Sequence, residues 1–116
     1  MDGTVHVLYR RWIEELWSGR LETAADLVAP DFVGHWPGQE VHGPDGVAAI
    51  IGETRGMFDD PNFEIVVGPL VDGDLVAARW VGTGTGPEGS TSFVGNDILR
   101  VVDEQFVEYW VATVTS

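Results

Sequence analysis

The residues best placed to do chemistry lie in one strand pair near the end of the chain, Asn96-Asp97-Ile98-Leu99-Arg100-Val101-Val102-Asp103-Glu104-Gln105-Phe106-Val107-Glu108-Tyr109-Trp110. Asp97 opens an otherwise apolar, β-branched run. A carboxylate in a strand destined for burial is costly unless it has a partner or a task. Strand alternation groups Asp97 with Phe93, Gly95, Leu99 and Val101 and sends Asn96, Ile98, Arg100 and Val102 to the other face. Apolar surroundings raise a carboxyl pKa toward the range useful for general acid–base work. Asp97 is thus the first candidate for proton transfer. The bland alternative is a strand-end aspartate that caps a loop or pairs with an arginine.

His35 is the second catalytic candidate. It follows a short apolar segment and precedes Trp36-Pro37-Gly38, where an imidazole that titrates near neutrality could close a pocket mouth and shuttle a proton. A loop histidine bonded to backbone is the competing reading. Trp36, Trp80, Tyr109 and Trp110 are the expected aromatic walls of a substrate pocket, with Asn96 as a polar contact and Met57 as an adaptable one. His35, Glu40 and His42 are close in sequence, but their spacing around Pro37 and Gly38 matches no zinc pattern, so no metal is expected. Gly82-Thr83-Gly84-Thr85-Gly86 lacks the lysine and helix of a phosphate loop.

These side chains need elements to hold them. Val5, Leu8, Trp12 and Leu16 recur at helical spacing, with Tyr9, Ile13 and Trp17 widening the stripe, which predicts a helix from Thr4 to about Ser18. Leu21 to Val28 reads as a second, short helix ended by Pro30. Asp31 to Trp36 reads as extended, followed by a Gly- and Pro-rich loop. Gly43-Pro44-Asp45-Gly46 opens a third helix with Val47, Ile50, Ile51, Thr54 and Phe58 on its inner face and Pro61 just past its end. The remainder reads as antiparallel sheet: Phe63 to Leu70, a turn at Asp72-Gly73, Leu75 to Thr85, then a hairpin of Thr91 to Val102 and Gln105 to Val114. Helices first and a meander after them indicate an α+β fold, with helices packed on one face of a curved, mainly antiparallel sheet.

The 116 residues suit a single domain over positions 1–116. Six Lys+Arg against nineteen Asp+Glu give a formal net charge of -13, which repels nucleic acid and anionic membrane surfaces. The chain has no cysteine, so thiolate chemistry and disulfides are excluded. The opening MDGTVHVLYRRW places charges where a signal peptide needs its apolar centre, and a cytoplasmic protein is expected.

The order of elements and several phrases resemble the SnoaL-like polyketide cyclases of the nuclear-transport-factor-2-like superfamily. Those phrases are Ala29-Pro30-Asp31-Phe32-Val33-Gly34-His35, Gly43-Pro44-Asp45-Gly46, Asp72-Gly73-Asp74-Leu75-Val76-Ala77-Ala78-Arg79-Trp80 and Asn96-Asp97-Ile98-Leu99-Arg100-Val101. The resemblance implies a cone-shaped α+β barrel with a deep pocket for a hydrophobic small molecule. It also implies an aspartate at Asp97 as acid/base in cofactor-independent aldol ring closure, and a homodimer formed through the outer face of the sheet. The chain departs from the pattern at Gly84, where family cyclases carry a histidine between two threonines. An epoxide-hydrolase reading requires an acid two residues beyond the strand arginine, whereas Arg79 is followed by Trp80 and Val81. A non-catalytic ligand-binding or assembly module on the same fold is the other alternative.

Overall fold

The structure, a computed structural model, describes residues 3–115. Helix α1 (Thr4–Arg11) continues into a π-helical segment (Trp12–Leu16), a 3-10 turn (Leu21–Thr23) leads into α2 (Ala24–Leu27), and α3 spans Gly43–Gly56. Strands β1 (Val28–Trp36), β2 (Gln39–His42), β3 (Asp59–Asp72), β4 (Leu75–Gly86), β5 (Gly89–Val102) and β6 (Gln105–Thr115) form one sheet in the order β2-β1-β6-β5-β4-β3. The β1–β6 pair is parallel and the others are antiparallel. The sheet is mixed, mainly antiparallel and open, and the helices cover its concave face. This is the α+β fold that the order of elements implied, in the cone shape that the resemblance added. No helix among the described residues is long and apolar enough to cross a membrane.

The long first helix changes character where the sequence pattern gives no warning. Trp17 N–H bonds to Trp12 O at 3.0 Å, five residues back, which widens the turn. Tyr9, Trp12, Ile13, Leu16 and Trp17 all end up buried on the sheet side. They meet Phe32, Leu99, Phe106 and Tyr109 in one continuous core.

Two prolines were expected to mark ends and instead lie inside strands. Pro30 sits in β1, between Val28 and Val33, where the pairing with β6 shifts register. Pro61 sits in β3, between Asp59 and Asn62, where the pairing with β4 shifts. A residue without an N–H is tolerated where the ladder is interrupted, and β3 is also an edge strand. Strand β1 therefore begins three residues earlier than the apolar pattern suggested. The stretch expected as loop after Trp36 turns at Pro37-Gly38 and returns as β2, with Gly38 supplying φ 83°.

Candidate active site

Strand β5 alternates as its sequence predicts: Gly95, Asp97, Leu99 and Val101 are buried under the helices, while Asn96, Ile98 and Val102 face outward and are exposed. Asp97 is 1% exposed and sits at the floor of the concave face. Three donors converge on its carboxylate. Tyr9 Oη–H donates to Oδ2 at 2.8 Å, Tyr109 Oη–H to Oδ1 at 2.8 Å, and Trp80 Nε1–H to Oδ1 at 2.9 Å. The Trp12 indole lies close enough to add a fourth and smallest pull on the carboxylate, but it does not reach hydrogen-bond geometry. Its Nε1–H is the buried side-chain polar atom left without a partner among the described residues.

Burial pushes the Asp97 pKa up, and the donors Trp80, Tyr109 and Tyr9 pull it back, leaving it at about 6. The two tyrosines respond in the opposite sense. Burial first, then the charge of Asp97 beside them, pushes both phenols well above their ordinary value. Both phenols therefore stay protonated beside that carboxylate near neutral pH.

Glycines make the cluster possible. Trp80 pairs in register with Gly95, and a Cβ at Gly95 would occupy the space of the Trp80 indole. The ring therefore lies flat across β5 and brings its N–H to the next inward residue on that strand, Asp97. Gly34 gives Trp36 the same access on β1, so that the Trp36 ring reaches Tyr109 at 4.6 Å between centroids.

Beside the cluster is a cavity of about 190 Å³ lined by Trp17, Trp36, Pro37, Thr54, Trp80, Phe93, Tyr109, Val111 and Thr113. Trp80 and Tyr109 belong to both, forming the wall of the cavity and holding the carboxylate behind it. A larger depression of about 510 Å³ lies among Asp60, Thr83, Thr85, Ser90 and Ser92. It shares no residue with the cavity or the Asp97 cluster, and its walls are the hydroxyls of an exposed hairpin end.

Of the residues expected at the site, Asp97, Trp36, Trp80 and Tyr109 come together. His35, Asn96, Trp110 and Met57 do not. Trp36 takes the inward position at the end of β1, so its neighbour His35 points to the outer face of the sheet. There His35 Nε2 meets Glu108 Oε2 at 2.8 Å, and the imidazole stacks on Trp110 at 5.8 Å. Asn96 is on the same outer face and accepts from Arg79 Nε at 3.0 Å. Arg100 donates to Asp74 Oδ2 at 2.9 Å, so neither strand arginine reaches Asp97. Met57 is 62% exposed beyond the end of α3. Glu40 contacts His35 at 3.7 Å and His42 at 3.4 Å, but no three metal-ligating side chains converge among the described residues.

Tyr9 and Trp12 are the members of the cluster that the sequence reading assigned only to the core. A buried tyrosine needs a partner for its hydroxyl, and Asp97 is the buried carboxylate available. That pairing of requirements was the usable signal.

A family model described as a SnoaL-like domain matches residues 9–109 of the chain. Among solved structures, the chain is similar to wild-type IdmH of Streptomyces antibioticus, described as a candidate polyketide cyclase. Identity is 28%, coverage 93% of this chain and 90% of that one, and TM-score 0.80. A candidate polyketide cyclase from Bacillus cereus is 29% identical over 91% of this chain and 71% of its own, with TM-score 0.81. A third candidate cyclase, from Acidithiobacillus ferrooxidans, has TM-score 0.84 at 21% identity, over 97% of this chain and 89% of its own. No curated protein sequence matches the chain.

Proposed function

Because the chain belongs to the SnoaL-like domain family, we propose that it is a cofactor-independent cyclase or isomerase of a hydrophobic, polyketide-like small molecule, with Asp97 as its acid/base group. The observation that carries the reading is the shared wall: Tyr109 and Trp80 line the cavity and donate to a buried carboxyl whose pKa lies at about 6. A group with that pKa both accepts and returns a proton near neutral pH. The resemblance of the chain to candidate polyketide cyclases supports the substrate class.

Tyr109 lines the cavity and Asp97 lies behind it, so Asp97 acts through Tyr109. A proton leaving the carbon beside a substrate carbonyl bonds to Tyr109 Oη as the hydroxyl's own proton moves to Asp97 Oδ1. The enolate so formed attacks a second carbonyl, whose oxygen takes a proton from Tyr109 Oη as Asp97 returns its own to Tyr109, or is reprotonated at another carbon by the same two transfers run backward. The first outcome closes a ring by aldol chemistry, and the second moves a double bond. The aromatic wall excludes water that would quench the enolate.

The test is deuterium exchange beside the carbonyl of small cyclic ketones in D2O, followed by proton NMR. Exchange is expected to fall by about 10²-fold or more, the usual contribution of a positioned acid/base group, in both Asp97→Asn and Tyr109→Phe. Equal rates in wild type and Asp97→Asn would sink the reading. A second reading, a non-catalytic ligand-binding module, is favoured by the burial of Asp97 itself, 1% exposed. It is chosen if ketones bind tightly and exchange at the background rate.

We also propose a cytoplasmic homodimer, formed through the outer face of the sheet. Ile98 on β5, 45% exposed, and Leu70 on β3, 63% exposed, are apolar groups there with no cover. Sedimentation equilibrium distinguishes this dimer from a monomer.

A further inference from the structure

Resting on the same site as the proposed reaction, we infer that the cavity takes a neutral, weakly polar ketone of one or two rings, and that Phe93 sets the size limit. The volume of about 190 Å³ is the first argument. Pockets for drug-sized ligands begin at roughly 300 Å³, whereas an apolar cavity of about 150 Å³ holds one benzene ring. The space fits a single- or double-ring molecule and is too small for a folded multi-ring polyketide.

The chemistry of the wall gives the polarity. None of the lining side chains is charged. Half of its six side-chain hydrogen-bond donors are committed: Trp80 and Tyr109 donate to Asp97, and Thr54 Oγ1 donates to Ile50 O at 2.8 Å, which leaves Trp17, Trp36 and Thr113 for a ligand of low polarity. A ligand rich in hydroxyls or bearing a charge would bury unpaired polar groups there, at a cost of several kcal/mol on the order of that for any unpaired polar group.

The size limit comes from rings seated on glycines. Phe93 stands over Gly82, where a Cβ would come within 2.8 Å of its ring, and Phe58 stands over Gly84, where a Cβ would come within 2.8 Å of its Cβ and 3.1 Å of its ring. The two rings stack at 5.6 Å, and Phe93 also meets Trp80 edge-on at 5.7 Å. Without side chains at Gly82 and Gly84, these phenyl groups fill the end of the concave face along which the cavity would otherwise extend. Phe93 is the member of this stack that lines the cavity.

Tryptophan fluorescence titration with 1-tetralone, a two-ring ketone, and with androst-4-ene-3,17-dione, a four-ring one, tests the inference. Wild type is expected to bind 1-tetralone about ten-fold or more tightly than the four-ring compound, a difference of about 1.4 kcal/mol. Phe93→Ala is expected to abolish or reverse that preference, with Phe93→Leu as an intermediate variant should the alanine chain not fold. Asp97→Asn is expected to keep the wild-type preference. Loss of exchange chemistry would therefore leave the size assignment standing. The inference is overturned if wild type binds the four-ring diketone as tightly as 1-tetralone, if it binds neither, or if both Phe93 variants retain the wild-type ratio.

Discussion

The hydroxyl of Tyr9 donates to Oδ2 of Asp97 at 2.8 Å, joining helix α1 to strand β5 across 88 positions of sequence. It is the hydrogen bond that the second carboxylate oxygen receives, since Trp80 and Tyr109 both donate to Oδ1. Tyr9→Phe keeps the ring packing and leaves Oδ2 without that donor. The variant is expected to lose about 2 kcal/mol at pH 8, where the carboxylate is charged, and less at pH 4, where it is not. Urea unfolding at the two pH values checks this. Removing a donor that pulls the Asp97 pKa down also moves the pH dependence of ketone exchange to higher pH.

Asp97 carries its own stability signature. Its folded pKa of about 6 lies above its ordinary 3.8. Between those values the folded chain holds a proton that the unfolded chain has released, so stability falls as pH rises through that window. The total difference between acid and neutral pH is about 3 kcal/mol for this one group. In Asp97→Asn the amide oxygen still accepts from Trp80 and Tyr109, and its N–H can donate to Tyr9 Oη. Denaturation from pH 3 to 8 is expected to show the wild type losing stability relative to the variant across that window, with the variant more stable at pH 8. A parallel pH dependence of the two chains would overturn the assignment of the buried charge. A gain in stability alongside a loss of exchange is what a strained catalytic group predicts.

Placement of His35 shows where sequence reading reached and where it stopped. Asp97 was legible because β5 alternates without interruption from Gly95 to Val101, so its apolar neighbours fixed the face it takes. His35 was not, because His35 and Trp36 compete for the inward position at the end of β1, and only the pairing with β6 decides between them. Tyr9 was visible as part of an apolar helix stripe, but its hydroxyl partner lies on a strand that the helical pattern cannot reveal. The fold class followed from the order of helices and hairpins; the early starts of β1 and β3 did not, because proline at a register break is indistinguishable from proline at an end. His35→Ala is expected to leave ketone exchange within about two-fold of wild type, as for a substitution away from the site. Its cost is the hydrogen bond with Glu108, worth about 1 kcal/mol or less for a partly exposed pair. A larger loss of exchange would return His35 to the mechanism.

Ligand binding can be separated from the acid/base side of the reaction through Trp80. Its indole N–H holds Oδ1 and its ring forms cavity wall. Trp80→Phe retains most of the wall and removes the donor, so 1-tetralone binding is expected to change by less than about three-fold, a fraction of 1 kcal/mol. The exchange profile, in contrast, is expected to shift to higher pH as Asp97 loses the strongest of the bonds that lower its pKa. Isothermal titration beside a pH–rate series makes the comparison. Binding lost with an unmoved profile would show that Trp80 serves only as packing.

Gly84 occupies the position where the resemblance places a histidine, and the structure shows why the chain cannot simply accept one. A Cβ at Gly84 would stand 2.8 Å from Phe58 Cβ and 3.1 Å from its Cγ. These are the stiff base of the side chain and not its far end, so a rotamer change cannot relieve the clash. Gly84→His is expected to cost about 2 kcal/mol through overpacking. Combining it with Phe58→Ala removes the obstructing ring, and the double variant is expected to be more stable than the sum of the two single losses predicts, because the substitutions share one space. A thermal-unfolding double-mutant cycle measures the coupling. Strictly additive losses would mean that Phe58 yields without cost and that the phenyl stack is not what displaced the histidine. A favourable coupling would identify Phe58 and Gly84 as one exchange, in which the space of a polar proton-transfer group has been given to the aromatic plug that narrows the cavity.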